Sequence, residues 1–289
     1  MKKQIYLSMT LAALILLFAG CGGQNAPEPA ATADAAFTDL AESIGQNDPA
    51  GAWHFLPDSY QSDANSLLHG FAAKMDPDLW EAGTGAYQKV EEVLRTKKEL
   101  LLENPMLAQV DLEDSYDSIV KVTGILGKSD LMDLNKLESA DLGHILSTTG
   151  KELMRVVDET DFEGSLPMTG LDPGEIQSEF SNMEASLISE DGDAAMVRIN
   201  EEGEEGQEVP FVRVEGKWIP VEMRDDWPGM MAQAQKFIGQ IEEIPAEEKA
   251  QIMMGISTVD SVLDQMLAAK TAEEMNAVLS GAFGMIGGF

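Results

Sequence analysis

Residues 183–223 read MEASLISEDGDAAMVRINEEGEEGQEVPFVRVEGKWIPVEM, a stretch unlike the rest of the chain. It divides into four short strands, Glu184–Glu190, Ala194–Asn200, Glu208–Glu215 and Lys217–Met223. Val197 and Ile199 alternate with Arg198, and Ile219, Val221 and Met223 alternate with Trp218, Pro220 and Glu222. A period of two puts one side of a sheet in the core and the other in water. Asp191-Gly192 and Glu215-Gly216 are turn signals, because tight hairpins need positive φ angles that glycine adopts without a Cβ clash. The loop Glu201-Glu202-Gly203-Glu204-Glu205-Gly206 joins the middle strands, and its charge discourages edge pairing.

On both sides of this meander the pattern is helical. Phe37, Leu40, Ala41 and Ile44 share one helix face, and Gln46-Asn47-Asp48-Pro49 ends it. From Asp58, read as an N-cap, Tyr60, Ala64, Leu67, Leu68, Phe71 and Met75 form one apolar stripe. Asp76-Pro77-Asp78 is a capped start with proline in the first turn. The helix that follows turns Leu79, Trp80, Tyr87, Val90, Leu94 and Leu101 inward and ends by Asn104-Pro105. Shorter helices fill 106–160, and the turn-rich segment 161–173 is the best boundary. After the meander, Pro228 and Pro245 each stand where a helix can begin. Ile252, Ile256, Val259, Leu263, Met266 and Leu267 form a stripe, and Thr271 with Glu274 fits a capping box.

The expected fold is therefore α+β and helix-rich, with a small antiparallel meander at about 183–223 packed against helices. The expected organisation is a signal segment at 1–20, a tether at 21–33, a helical region at 34–160, and the sheet with C-terminal helices at 174–289. The last two regions are expected to pack as one body. Helices followed by a meander with Val212-Arg213-Val214-Glu215-Gly216-Lys217-Trp218-Ile219 resemble the NTF2-like (cystatin-like) lipoproteins of bacterial envelopes. That resemblance implies helices in the concave face of a curved sheet, and it carries over no catalytic residue.

The N-terminus gives the address. Residues 1–20 are MKKQIYLSMTLAALILLFAG: a basic start at Lys2 and Lys3, an apolar run from Leu11 to Phe18, then small residues. That order is a secretory signal, and the apolar run is too short for a membrane span of about 20 residues. Phe18-Ala19-Gly20-Cys21 resembles the lipobox of bacterial lipoproteins, with Phe18 where leucine is usual. The resemblance implies a diacylglyceryl group on the Cys21 thiol and cleavage before it, so that the membrane is a partner through lipid. Cys21 is the single cysteine, so no internal disulfide can form. Gly22 stands where an aspartate would favour the inner membrane. The expected location is the envelope, with the outer membrane facing the periplasm favoured and the cell surface as the alternative.

The chain carries 19 basic and 51 acidic side chains, a net charge of −32. Loss of Lys2 and Lys3 on cleavage makes the balance −34. Such a field repels phosphate backbones and excludes nucleic acid as a partner. It reads first as solubility.

Catalytic and metal signatures are absent from the sequence. His54, His69 and His144 have no metal-ligand spacing. No Gly-x-Ser-x-Gly elbow or phosphate-binding glycine loop occurs, and no cofactor is expected. Seventeen methionines read as core filling rather than copper ligands. The segment Trp53-His54-Phe55-Leu56-Pro57-Asp58-Ser59-Tyr60 is the most unusual in composition. Its aromatics Trp53, Phe55 and Tyr60 are the candidate ligand groove, against the plainer reading of a helix entry stapled to the core. The expected function is a lipid-anchored envelope module that binds or scaffolds without catalysis. Two alternatives stand beside it. An NTF2-like pocket, binding or enzymatic, would have an apolar cavity with two or more convergent polar groups. An envelope-assembly partner would expose an apolar patch on 246–289.

Overall fold

A computed structural model describes residues 28–105, 115–159, 173–201, 206–242 and 244–286. Cys21, most of the turn-rich 161–173 segment and the middle of the acidic loop lie outside the described residues. The described chain forms two compact units. One comprises residues up to Ala73 with Asn135–Gly239; the other comprises Lys74–Leu134 with the chain from Gln240 onward. The architecture is α+β and helix-rich, with one four-stranded antiparallel sheet.

In the first unit, β1 (Met183–Asp191), β2 (Ala194–Glu201), β3 (Gln207–Val214) and β4 (Lys217–Pro220) pair in sequence order. Ala195 pairs with Phe211, Val197 with Val209, and Phe211 with Pro220. The register slips between Leu187 and Ser189, a bulge that leaves Leu187 and Ile188 exposed at the sheet edge. Helix α1 (Ala33–Gly45) lies against β1, β2 and β4, and its Phe37 ring meets Phe211 edge-on at 6.5 Å. Phe37, Leu40, Ala41 and Ile44 are all buried, as the helical spacing requires. Burial of a side chain such as Phe37 stabilises by roughly 1.5–3 kcal/mol. The short helix α2 (Pro49–Phe55) starts with Asp48 accepting a hydrogen bond from the Ala50 amide at 3.3 Å. After it comes α3 (Asp58–Lys74).

Three local expectations change here. The last strand stops at Pro220, and Val221–Met223 open a helix. Proline cannot donate to a ladder, and Met223 and Trp227 are buried one helical turn apart. Pro228 therefore lies inside that helix rather than at its start. Asp58 is already helical; its carboxylate pairs with the Lys217 ammonium at 3.0 Å instead of capping. The first turn of α3 is capped from a distance, by Glu215 Oε2 accepting the Ser59 amide at 2.9 Å.

In the second unit, α4 (Pro77–Thr96), α5 (Lys98–Leu102), α6 (Tyr116–Lys128), α12 (Ala246–Ala268) and α13 (Ala272–Ile286) share an apolar core. That numbering leaves α7 (Leu134–Leu137), α8 (Leu142–Ile145), α9 (Lys151–Glu159), α10 (Pro173–Ser181) and α11 (Val221–Glu242) between them. Asp76 caps α4 through the Asp78 and Leu79 amides, and Lys249 holds the same carboxylate at 2.5 Å. The long helix expected up to Asn104 is broken at Lys97, whose Nζ donates to the Ala269 carbonyl at 2.7 Å. Thr271 Oγ1 accepts the Glu274 amide, and Glu274 returns to the Lys270 amide, a capping box displaced by one residue. Leu263 and Met266 of the expected α12 stripe are buried, while Ile252 and Val259 are exposed.

Candidate functional site

The first unit holds a cleft of about 580 Å³, built from five pieces of chain. Helix α1 supplies Ala36 and Leu40 and, along its flank, Asp39, Glu42 and Ser43, with Gln46 just past its end. The spacing of 36, 39, 40 and 43 puts these side chains on neighbouring ridges of one helix. Asp48 follows, and α2 adds Ala50, Gly51, His54 and Phe55. Ser147, in a π-helical turn (Leu146–Gly150), and Lys151 at the start of α9 come next. Lys217 and Trp218 of β4 and the N-terminal arm, Glu28, Pro29 and Ala30, complete the lining.

The arm is held in place. The Ala31 carbonyl accepts from Arg213 Nη2 at 3.2 Å and from the Trp218 indole at 3.4 Å. The Arg213 guanidinium also lies 4.4 Å from the Trp218 ring centroid, a cation–π contact that fixes the indole. Gly51 is needed where α1 and α2 meet: an added Cβ would stand 2.1 Å from Ser43 Oγ and 2.6 Å from its Cβ. The corner between α2 and α3 is held by the β3–β4 turn. Glu215 (φ 53°) and Gly216 (φ 85°) form its two central residues, as in a type I′ hairpin. Lys217 Nζ then donates to the Leu56 carbonyl at 2.7 Å.

The cleft carries both signs of charge on an apolar floor. His54 is half-buried, and burial first, then the Lys217 ammonium, push its pKa below the ordinary 6.5, while Asp48 opposes them. The imidazole is therefore neutral at neutral pH, and its ring makes no hydrogen bond among the described residues. Ser43 Oγ donates to the Asp39 carbonyl at 2.7 Å and Ser147 Oγ to the His144 carbonyl at 3.2 Å.

The aromatic segment is mostly core. Trp53 is 1% exposed, and Tyr60 stacks on Trp227 at 4.2 Å, with the Trp227 indole donating to Asp63. Of the three groove aromatics only Phe55 borders the cleft. His69 binds the Ala140 carbonyl away from the cleft. His54 lay within the segment the composition singled out, but Asp39, Lys151 and the arm carried no sequence signal, because folding alone brings them together. Among the described residues no group of three or more His, Cys, Asp or Glu side chains could hold a metal ion. No helix there is long and apolar enough to cross a membrane. No family model, no curated protein and no solved structure matches this chain.

Proposed function

We propose that this protein is a lipid-anchored component of the bacterial cell envelope that binds a small ligand in the cleft beneath its N-terminal arm. The observation carrying the reading is that cleft. Its volume falls within the 300–1,000 Å³ of small-molecule sites, and it sets polar groups from several elements around Leu40, Phe55 and Trp218. Binding rather than turnover is favoured because the Ser43 hydroxyl is committed to a backbone carbonyl instead of to His54.

The arm relates the cleft to the anchor. Cys21 precedes Glu28 by seven residues, which span at most about 25 Å when extended. An acylated Cys21 would hold the cleft within that reach of the bilayer. Two acyl chains give a stable tether, at ~0.8 kcal/mol per buried CH₂. Growth with a palmitate analogue tests the anchor: label is expected on the wild type and none on Cys21→Ser. Label on both proteins, or on neither, would contradict it.

A second reading, docking to an envelope assembly, is favoured by Ile252, Met254 and Val259, which are 39%, 70% and 50% exposed on α12. Substituting Val259 by glutamate should abolish co-purification of such an assembly from crosslinked membranes; unchanged co-purification would count against docking by this helix.

A further inference from the structure

We propose that the cleft takes a small zwitterion, a free amino acid or a peptide of two or three residues, with its ammonium on His54 and Asp48 and its acid group on Lys151. The proposal rests on the reading of the cleft as a binding site and names the ligand class.

Charge satisfaction in the cleft selects the ligand class. Lys217 is committed, to Asp58 and to the Leu56 carbonyl. Asp48 uses Oδ1 on the Ala50 amide, leaving Oδ2. The side chains of His54, Lys151, Asp39 and Glu42 line the cleft and make no hydrogen bond or ion pair among the described residues. An anionic ligand would meet Glu28, Asp39, Glu42 and Asp48 inside a chain of net charge −32. A cationic ligand would leave Lys151 without an anion. Lys151, Asp39 and Glu42 are exposed in the free protein, and a neutral ligand would take them out of water without pairing them, a desolvation that costs free energy. A zwitterion satisfies charges of both signs and adds no net charge.

Neutral His54 fits the same assignment, because an uncharged imidazole offers a lone pair to an ammonium and an imidazolium does not. Its titration is set first by burial, then by Lys217 from β4, with Asp48 from the α1–α2 connection opposing both. Glu28 of the arm, Asp39 and Glu42 of α1 and Lys151 of α9 complete the charged surroundings of the cleft. Binding should therefore weaken on acidification from pH 7.5 to 5.5.

The test is calorimetry on the full protein in detergent, with the twenty common L-amino acids, dialanine, and the methyl esters and N-acetyl forms of whichever bind. Spermidine and succinate serve as a pure cation and a pure anion. A free zwitterion should bind, with each blocked form at least tenfold weaker. Lys151→Gln should bring the free acid and its ester to within threefold of each other, and His54→Gln should remove the pH dependence. Blocked forms, spermidine or succinate binding as well as the zwitterion, with His54→Gln altering that binding, would overturn the ligand class and leave the cleft a binding site. No binding by any of these probes would overturn the ligand class and the reading of the cleft with it.

Discussion

At His54 two opposing fields meet. Burial and Lys217 disfavour the imidazolium and Asp48 favours it, and the balance lies below the ordinary value. As pH falls below 6.5 the unfolded chain takes up this proton before the folded one does, so folding stability falls with pH in that window and is unaffected above it. The urea midpoint of the wild type should drop more between pH 7.5 and 5.5 than that of His54→Gln; equal drops would place the titration elsewhere.

Tyr116 has the opposite dependence. It is 3% exposed, its hydroxyl donates to the Leu94 carbonyl at 2.6 Å, and burial pushes its pKa up to about 12. Its contribution is complete below the ordinary value of 10.0 and is lost as pH rises from there toward 12. Tyr116→Phe should cost about 1 kcal/mol at pH 7, the net worth of a buried hydrogen bond, and should flatten the alkaline limb of a stability profile. A variant as stable as the wild type at neutral pH would deny the bond.

At the scale of elements, two glycines in helices should respond with opposite sign to the same change. Gly83, in α4, has nothing within 4 Å of an added Cβ, so Gly83→Ala should stabilise by up to about 1 kcal/mol through helix propensity. Gly51→Ala gains the same propensity but drives its Cβ into Ser43, and overpacking of that kind costs roughly 1–3 kcal/mol. Chemical denaturation separates the two; a stabilised Gly51→Ala would mean that α1 and α2 do not approach as described. The β3–β4 turn caps α3 through Glu215, whose carboxylate is held below its ordinary value chiefly by the Ser59 amide. Glu215→Gln should speed hydrogen exchange at the Ser59 amide without disturbing the hairpin amides, and an unchanged Ser59 rate would refute the long-range cap.

The meander was legible because period two and two glycine turns are local signals. Even so, the first turn centres on Gly192-Asp193 rather than Asp191-Gly192, a choice made by the Asp191–Ala194 pairing. The early end of β4 was not legible. Met223 suits a strand by its alternation with Val221 and a helix by its four-residue spacing from Trp227, and only packing chooses between them. The α12 stripe was half legible for a similar reason. Periodicity ranks Ile252 with Leu263, but the helix meets its neighbours at Leu263 and leaves Ile252 in water. The cleft was least legible, since its charged groups are separated by up to 189 positions, from Glu28 to Lys217.

For the molecule as a whole, the acidic balance and the short arm act together. On the proposed reading, cleavage before Cys21 would leave a body of net charge −34 that anionic head groups repel, and membrane association would rest on the proposed lipid at Cys21. Cys21→Ser should therefore release the protein into the soluble fraction even at low salt, where a charge-held protein of opposite sign would stay bound. Retention of the variant on membranes would point to another attachment.

The most direct test of the account is intact-mass spectrometry of the protein purified from envelope fractions. The account predicts a chain beginning at Cys21 and carrying the mass of a diacylglyceryl group, with or without a further acyl chain on its new amino terminus. A product that begins at Met1, or one that begins at Cys21 with an unmodified thiol, would contradict it.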